Sequence, residues 1–322
     1  MISRRQFSCT GLAALALPSF AIAAPFTSQT IKVIVPNSPG PGTDVLGRFF
    51  ATYMAKQWNS TVVVENKVGS GGQIATDLAA KAPPDGTVIL ITTSAHFTYP
   101  YLYAKLPFDA AKDLVPVAQF VQGAFAVVVA ADSPFKTIQD LINEAKRKPG
   151  TISFASAGVG SPTHMAGAQF GHMAGINIVH VPYKDASQVM TEVIGGQLQM
   201  GLTGTSTAMS MIQAGKLRAL AVTAPKRIPA LANVPTLDES GVRGYNVTSP
   251  ILAVTRAGTP TATVTEISRI MLEAASTPEF KEIADKLGYV MDPQDSAKLR
   301  TSFPGEFAKW KRMVEISGAK PG

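Results

Sequence analysis

The chain has 322 residues, a formal charge of +7, 46% hydrophobic residues and a single cysteine. This length suits about two domains and is ample for a core that needs no disulfide staples. The basic residues form no stripe interleaved with aromatics, which argues against a nucleic-acid partner, and beyond the first residues no stretch reaches the roughly 18 apolar residues of a membrane span.

In chain order, the first element is a leader. Arg4 and Arg5 precede the apolar run "GLAALALPSFAIAA", which ends on the small-x-small site Ala21-Ile22-Ala23. This reads as a signal peptide over residues 1–23, exported by the Sec or the twin-arginine route, with a periplasmic product. Cys9 lies inside that leader, so the mature chain has no cysteine and can form no disulfide. Losing the two arginines takes the charge from +7 to +5, which would suit an anionic small ligand.

Short β-rich runs then alternate with helical patterns. "IKVIVP" reads as a buried strand, "DVLGRFFATYMAKQW" as an amphipathic helix, and "TVVVEN" as the next strand. A Gly loop and a helix lead to "TVILITTS". This β-α-β-α-β rhythm predicts a parallel sheet with helices on both faces. The middle of the chain repeats it. A strand begins at "FAVVVAADSP", and "TIQDLINEAKRKPG" is a helix with Thr137 at its start. Strands at "TISFA", "INIVHVPY", "LQMGLTGT" and "ALAVTA" follow, with helices between. "PILAVTRAGTP" predicts a strand returning to the first sheet, and three helices over 262–275, 278–287 and 295–317 close the chain. The expected organisation is a discontinuous first domain (24–123 and 249–322) with a second domain (124–248) inserted into it.

Ligands of parallel α/β sheets bind beyond the carboxyl ends of the strands, where helix N-termini offer free N–H groups. Two loops have this form: "PNSPGPGTD" with Ser38, Thr43 and Asp44, and "SAGVGSPTH", Ser156 to His164. Glycine allows close backbone approach, proline stiffens the loop, and the hydroxyls add donors. Each loop reads equally as a tight strand-to-helix turn with a hydroxyl N-cap. Asp44 is either a partner for a cationic group or a helix cap. The exit of the third strand carries Ser94 and His96, a second possible edge of a cleft.

Catalytic patterns are absent from the sequence. His164 and His172 are eight residues apart with no acidic cluster, "GVGSP" is not a nucleophile elbow, and "VGSGGQIAT" is neither a phosphate loop nor a dinucleotide loop. No catalytic residue, metal or cofactor is expected.

These blocks, taken together, resemble the extracytoplasmic receptors of tripartite tricarboxylate transporters, the Bug family. The likeness runs through "IKVIVPNSPGPGTDVLGR", "VVVENKVGSGGQIATDLAAKAPPDGTVIL", "SAGVGSPTHMAG", "HVPYKDASQVMTEVIGGQLQ" and "AGKLRALAVTAPKRIPALANVPTLDESG", in the family's order. The resemblance implies an α/β type II periplasmic binding protein fold, two domains closing by a hinge on an interdomain cleft. It implies a small organic acid as ligand, membrane transporter subunits as partners and a monomeric chain. It places the carboxylates on Ser38, Pro39, Gly40, Gly42, Thr43 and Asp44 of the first loop. From the second loop it takes Ser156, Ala157, Gly158, Gly160, Ser161 and His164, with Tyr183 and Thr205 as further cleft residues.

The chain departs from the family pattern in places. Pro41 interrupts the glycines and removes one N–H donor. Tyr99-Pro100, Asp185-Ala186 and Gln199-Met200 replace customary pairs. "TTSAHFTYP" and "GLTGTSTAM" are therefore where ligand choice would differ, with an aromatic carboxylate one option. Two other roles share this fold: a periplasmic dehydratase or lyase, for which Asp44, His96 and His164 are the available acid-base groups, and a receptor that presents its ligand to a sensor kinase.

Overall fold

The computed structural model describes residues 26, 29–40, 42–183 and 186–319. The signal-peptide reading of residues 1–23, together with Pro41 and Asp185, lies outside them. The expected alternation of strands and helices is present, organised on one ten-stranded mixed sheet.

The first half of the sheet is built from β1 (Thr30–Val35), β2 (Thr61–Asn66) and β3 (Val88–Thr92), all parallel, with β9 (Thr248–Arg256) antiparallel beside β3. Helices α1 (Thr43–Trp58), α2 (Gln73–Ala80) and α3 (Ala95–Leu102) connect these strands and lead out of β3. β3 is buried throughout and β1 from Val33 onward, where the residues are apolar as expected for strands covered on both faces. The buried side of α1, with Leu46, Phe50 and Met54, meets α8 (Thr261–Ala275) and Phe280 of α9 (Pro278–Lys286) in one apolar cluster.

β4 (Leu114–Ala130) is the longest strand and runs through both halves. Its first part pairs with β9, from Leu114↔Arg256 to Ala124↔Thr248, and with β10 (Tyr289–Gln294) at Gly123↔Tyr289. From Phe125 onward its partners are β7 (Met200–Gly204) and β8 (Leu217–Val222). The pairing therefore changes between Ala124 and Phe125. β5 (Ile152–Ser156) and β6 (Ile178–Pro182) complete the second half, parallel to each other. Around them lie α4 (Ile138–Arg147), α5 (Pro162–Ala174), α6 (Ala186–Ile194) and α7 (Thr205–Gln213). α4 has a reciprocal capping box between Thr137 and Asp140, which fixes its start.

The C-terminal helix α10 (Ser296–Ser317) packs on both α3 and α5. Phe303, Phe307 and Trp310 of α10 join Phe97 of α3 and Phe154 and Phe170 of the second half in one core cluster. The two halves thus share apolar packing on this side of the sheet.

Three features differ from the sequence reading. β4 starts eleven residues earlier than the run at Phe125, because "LVPVAQFVQG" is interrupted by Pro116 and two glutamines and lacks a clean period. "AHFTYPYL" is a helix, not a strand end, with Pro100 inside it. β10 is a strand that the tail's helical patterns concealed.

Candidate functional site

A cavity of about 210 Å³ opens where β4 passes from one half of the sheet to the other, beside Gly123, Ala124 and Phe125. Two helices begin at its wall. α1 starts after Gly42 and α7 after Gly204, and neither of these cap residues has a side chain to close its helix. The first N–H groups of a helix have no intrahelical partner, and the helix dipole places partial positive charge there. Gly42 and Thr43 reach the cavity from one half, Gly204, Ser206 and Thr207 from the other. Thr93 and Ser249 add hydroxyls, and among the described residues none of those lining the cavity is charged. The arrangement offers neutral donors from both halves to an anion small enough to enter.

The first loop is held in shape from within. Thr43 Oγ1 donates to Asn37 Oδ1 (2.7 Å), which leaves the Asn37 amide nitrogen to donate. Asp44 is only 2% exposed. Its carboxylate accepts from the Gly40 N–H (3.0 Å), Arg48 Nε (2.9 Å) and Asn66 Nδ2 (2.8 Å). Burial acts to raise the Asp44 pKa, but the hydrogen bonds from Arg48, Asn66 and Gly40 outweigh it and hold it below its ordinary value. Asp44 therefore clasps the loop rather than facing a cationic ligand. Gly42 has φ near +80°, a conformation that side chains other than hydrogen strain to adopt. Ser38 and Pro39 are exposed and do not line this cavity, and Gly40 is half-buried.

The second loop does not reach this cavity. Its hydroxyls bond within the loop. Ser161 caps α5, accepting from the His164 N–H (3.2 Å), and its own proton goes to Gly158 O (2.7 Å). Thr163 Oγ1 accepts from the Ala157 N–H (3.1 Å). Ser156 Oγ lies 3.1 Å from Gly158 O and 2.6 Å from His180 Nε2. Gly160 donates to His164 Nδ1 (3.1 Å), and it sits so close to α3 that a Cβ there would be 2.7 Å from the Leu102 side chain. The His164 ring stacks on His180 with centroids 3.7 Å apart. Burial lowers both histidines to about 4, His164 further disfavoured by His180. Tyr183, half-buried at the end of β6, donates its N–H to Ser156 O (2.9 Å). The cavity at the β4 crossing is thus lined by the first loop and by none of the residues of the second.

The remaining expected residues lie behind the cavity. His96 is a correction: it is fully buried, facing Phe97, Phe303 and Phe307 instead of a cleft. Neither ring nitrogen has a well-formed hydrogen bond, the weak approach of the Ala110 backbone does not offset burial, and its pKa falls to about 4. Ser94 is buried against Ser249, with the two Oγ atoms 2.8 Å apart, and so positions a hydroxyl that does line the cavity. Thr205 is buried and its single hydroxyl proton lies between Ala124 O (3.2 Å) and Gly288 O (3.0 Å), holding the start of α7 against the crossing strand. Its neighbours Ser206 and Thr207 face the cavity.

The cavity residues with polar side chains that the sequence reading did not name are Asn37, Thr93, Thr207, Ser249 and Tyr289, the first three inside stretches it had singled out. Asn37 and Thr93 were within reach of the same reasoning. Ser249 and Tyr289 come from β9 and β10, far along the chain from the first loop, and carried no local signal.

The sequence model of the tripartite tricarboxylate transporter family receptors matches residues 46–318. The chain belongs to this receptor family. A Pseudomonas sp. (strain P51) relative, the UPF0065 protein in the tcbD-tcbE intergenic region, is 33% identical over 290 residues, covering 90% of this chain and 86% of that protein. Among solved structures, R. palustris Rpa4515 with adipate superposes with a TM-score of 0.82 at 27% identity, covering 92% of the receptor and 99% of the other chain. The periplasmic binding protein BugD superposes with a TM-score of 0.78 at 29% identity, covering 91% and 99%. The receptor is thus a solute-binding protein of the Bug type, with the mixed α/β fold of the periplasmic binding proteins.

Proposed function

We propose that this receptor captures a small organic carboxylate in the cavity at the β4 crossing and delivers it to a tripartite tricarboxylate-type membrane transporter. The observation that carries this reading is the convergence of two uncapped helix N-termini, those of α1 and α7, on one uncharged, hydroxyl-lined cavity. A carboxylate there would take backbone N–H groups from both helices, the Asn37 amide and the Thr207 hydroxyl. Charge-assisted bonds of this kind are stronger than neutral ones. The likeness to an adipate-bound structure supports an organic acid as the ligand class.

The reading includes two domains, 24–123 with 249–322 and 124–248, that close about the change of pairing at Ala124 and Phe125. It includes export to the periplasm by the leader, and action as a monomer. It also holds that the ligand leaves unchanged. The acid-base groups that an enzyme would need are engaged elsewhere: Asp44 clasps its loop, His96 is in the core, and His164 is stacked and hydrogen-bonded.

The test is a thermal-shift screen of the mature protein against aliphatic and aromatic mono- and dicarboxylates. A ligand that binds the native state alone raises the melting temperature by mass action. The reading predicts a concentration-dependent rise with at least one class of acid, which is then recovered chemically intact. No rise with any carboxylate, from protein shown by mass spectrometry to carry no copurified acid, contradicts it.

A further inference from the structure

We propose that Tyr289 is the residue that sets the length of acid the receptor accepts, by forming a fixed wall of the cavity. The inference rests on the carboxylate reading above and adds to it which lengths are admitted and what excludes the rest.

Tyr289 opens β10, directly opposite Gly123 of β4, and it lines the cavity. Two glycines make room for its ring. A Cβ added to Gly123 would meet the ring edge at 3.5 Å, and one added to Gly42 would lie 3.2 Å from the phenol oxygen. The ring therefore spans from the crossing strand to the cap of α1. The hydroxyl also approaches the Ser206 side chain at the start of α7. One side chain thus touches the element that crosses between the halves and both helices whose N-termini face the ligand.

The backbone beneath the ring is fixed as well. Gly288 accepts a hydrogen bond from Thr205 Oγ1 (3.0 Å) and packs so closely on Thr205 and Met209 that a Cβ would sit 3.2–3.3 Å from them. Ladder pairing with Gly123 holds the next residue. The ring is only 6% exposed, and burial keeps the phenol neutral. The backbone that carries this wall cannot shift for a longer ligand without breaking the β4–β10 pairing, and burial leaves the ring little room to swing aside. An acid whose carboxylate sits between the α1 and α7 N-termini must end before the ring.

The experiment is calorimetric titration of the intact mature protein with unbranched dicarboxylates from malonate to suberate. Wild type is compared with Tyr289→Ala, Tyr289→Leu and Tyr289→Phe. Wild type should show a length beyond which affinity falls away. Tyr289→Ala should move that limit to longer acids, with about fourfold tighter binding per added methylene that the new space buries. Tyr289→Leu, which keeps an apolar side chain in place, should shift it by less and covers the case in which the alanine variant fails to fold. Tyr289→Phe should keep the wild-type limit. An unchanged limit in a folded Tyr289→Ala or Tyr289→Leu variant overturns the wall role while leaving the carboxylate reading intact. No binding of any acid by wild type overturns both.

Discussion

Ser161 and Thr207 each stand in the first turn of a helix or at its cap, just after a strand of the second half, yet their hydroxyls have opposite employment. Ser161 is spent on the α5 cap and on Gly158, whereas Thr207 faces the cavity and its hydroxyl has no hydrogen-bond partner among the described residues. Ser161→Ala should therefore lower stability by about 1 kcal/mol, the usual cost of a lost cap, with ligand affinity little changed. Thr207→Ala should lower affinity by roughly 1.5–3 kcal/mol, the range for a hydrogen bond to a charged group, with stability little changed. Denaturant titration and calorimetry separate the two, and the reverse pattern would return the ligand to the second loop. At this scale the sequence was half legible. Gly42 and Thr43 were marked by the strand-Pro/Gly loop-helix form, and they do line the cavity. The same form marked Ser161, because a hydroxyl that caps a helix and one that awaits a ligand look identical in one dimension. Only the hydrogen-bond partners distinguish them.

Elements show a different division. The buried strands β1 and β3 and the amphipathic α1 were plain from apolar runs and spacing, since packing on both faces leaves little room for other residue types. The element α3 was concealed by Pro100 and by aromatic residues that suit strands, and tertiary packing against α10 overrides both preferences. His96 lies at that α3–α10 contact and gives it a measurable acid response. Its pKa is about 4 in the folded chain against an ordinary 6.5 for a histidine. The unfolded chain therefore binds the proton first, and stability is fully present above about pH 6.5 and declines as pH falls toward 4. His164 and His180 act with the same sign. His96→Leu should flatten the fall in melting temperature over this interval relative to wild type. An equal fall in the variant would place the acid sensitivity elsewhere. The strand β10 was missed because six residues with an internal proline, set between two helices, carry no period of their own. Its identity comes from pairing with β4, a contact some 170 residues apart in the chain.

For the whole molecule, the order of elements was enough to foresee the α/β architecture. What the order did not contain was the single sheet, in which β4 belongs to both halves, or the brace of α10 across α3 and α5. These long-range features put the crossing point, and with it the cavity, at Gly123–Phe125, beside the first Gly-rich loop. The central claim is that a carboxylate sits there between the N-termini of α1 and α7. A crystal structure of the receptor with the acid that raises its melting temperature most tests this directly. The account predicts carboxylate oxygens within hydrogen-bonding distance of backbone N–H groups in the first turns of both helices and of Thr207 Oγ1. A carboxylate bound instead to Ser161 and Thr163 of the second loop, or outside the β4 crossing altogether, would contradict it.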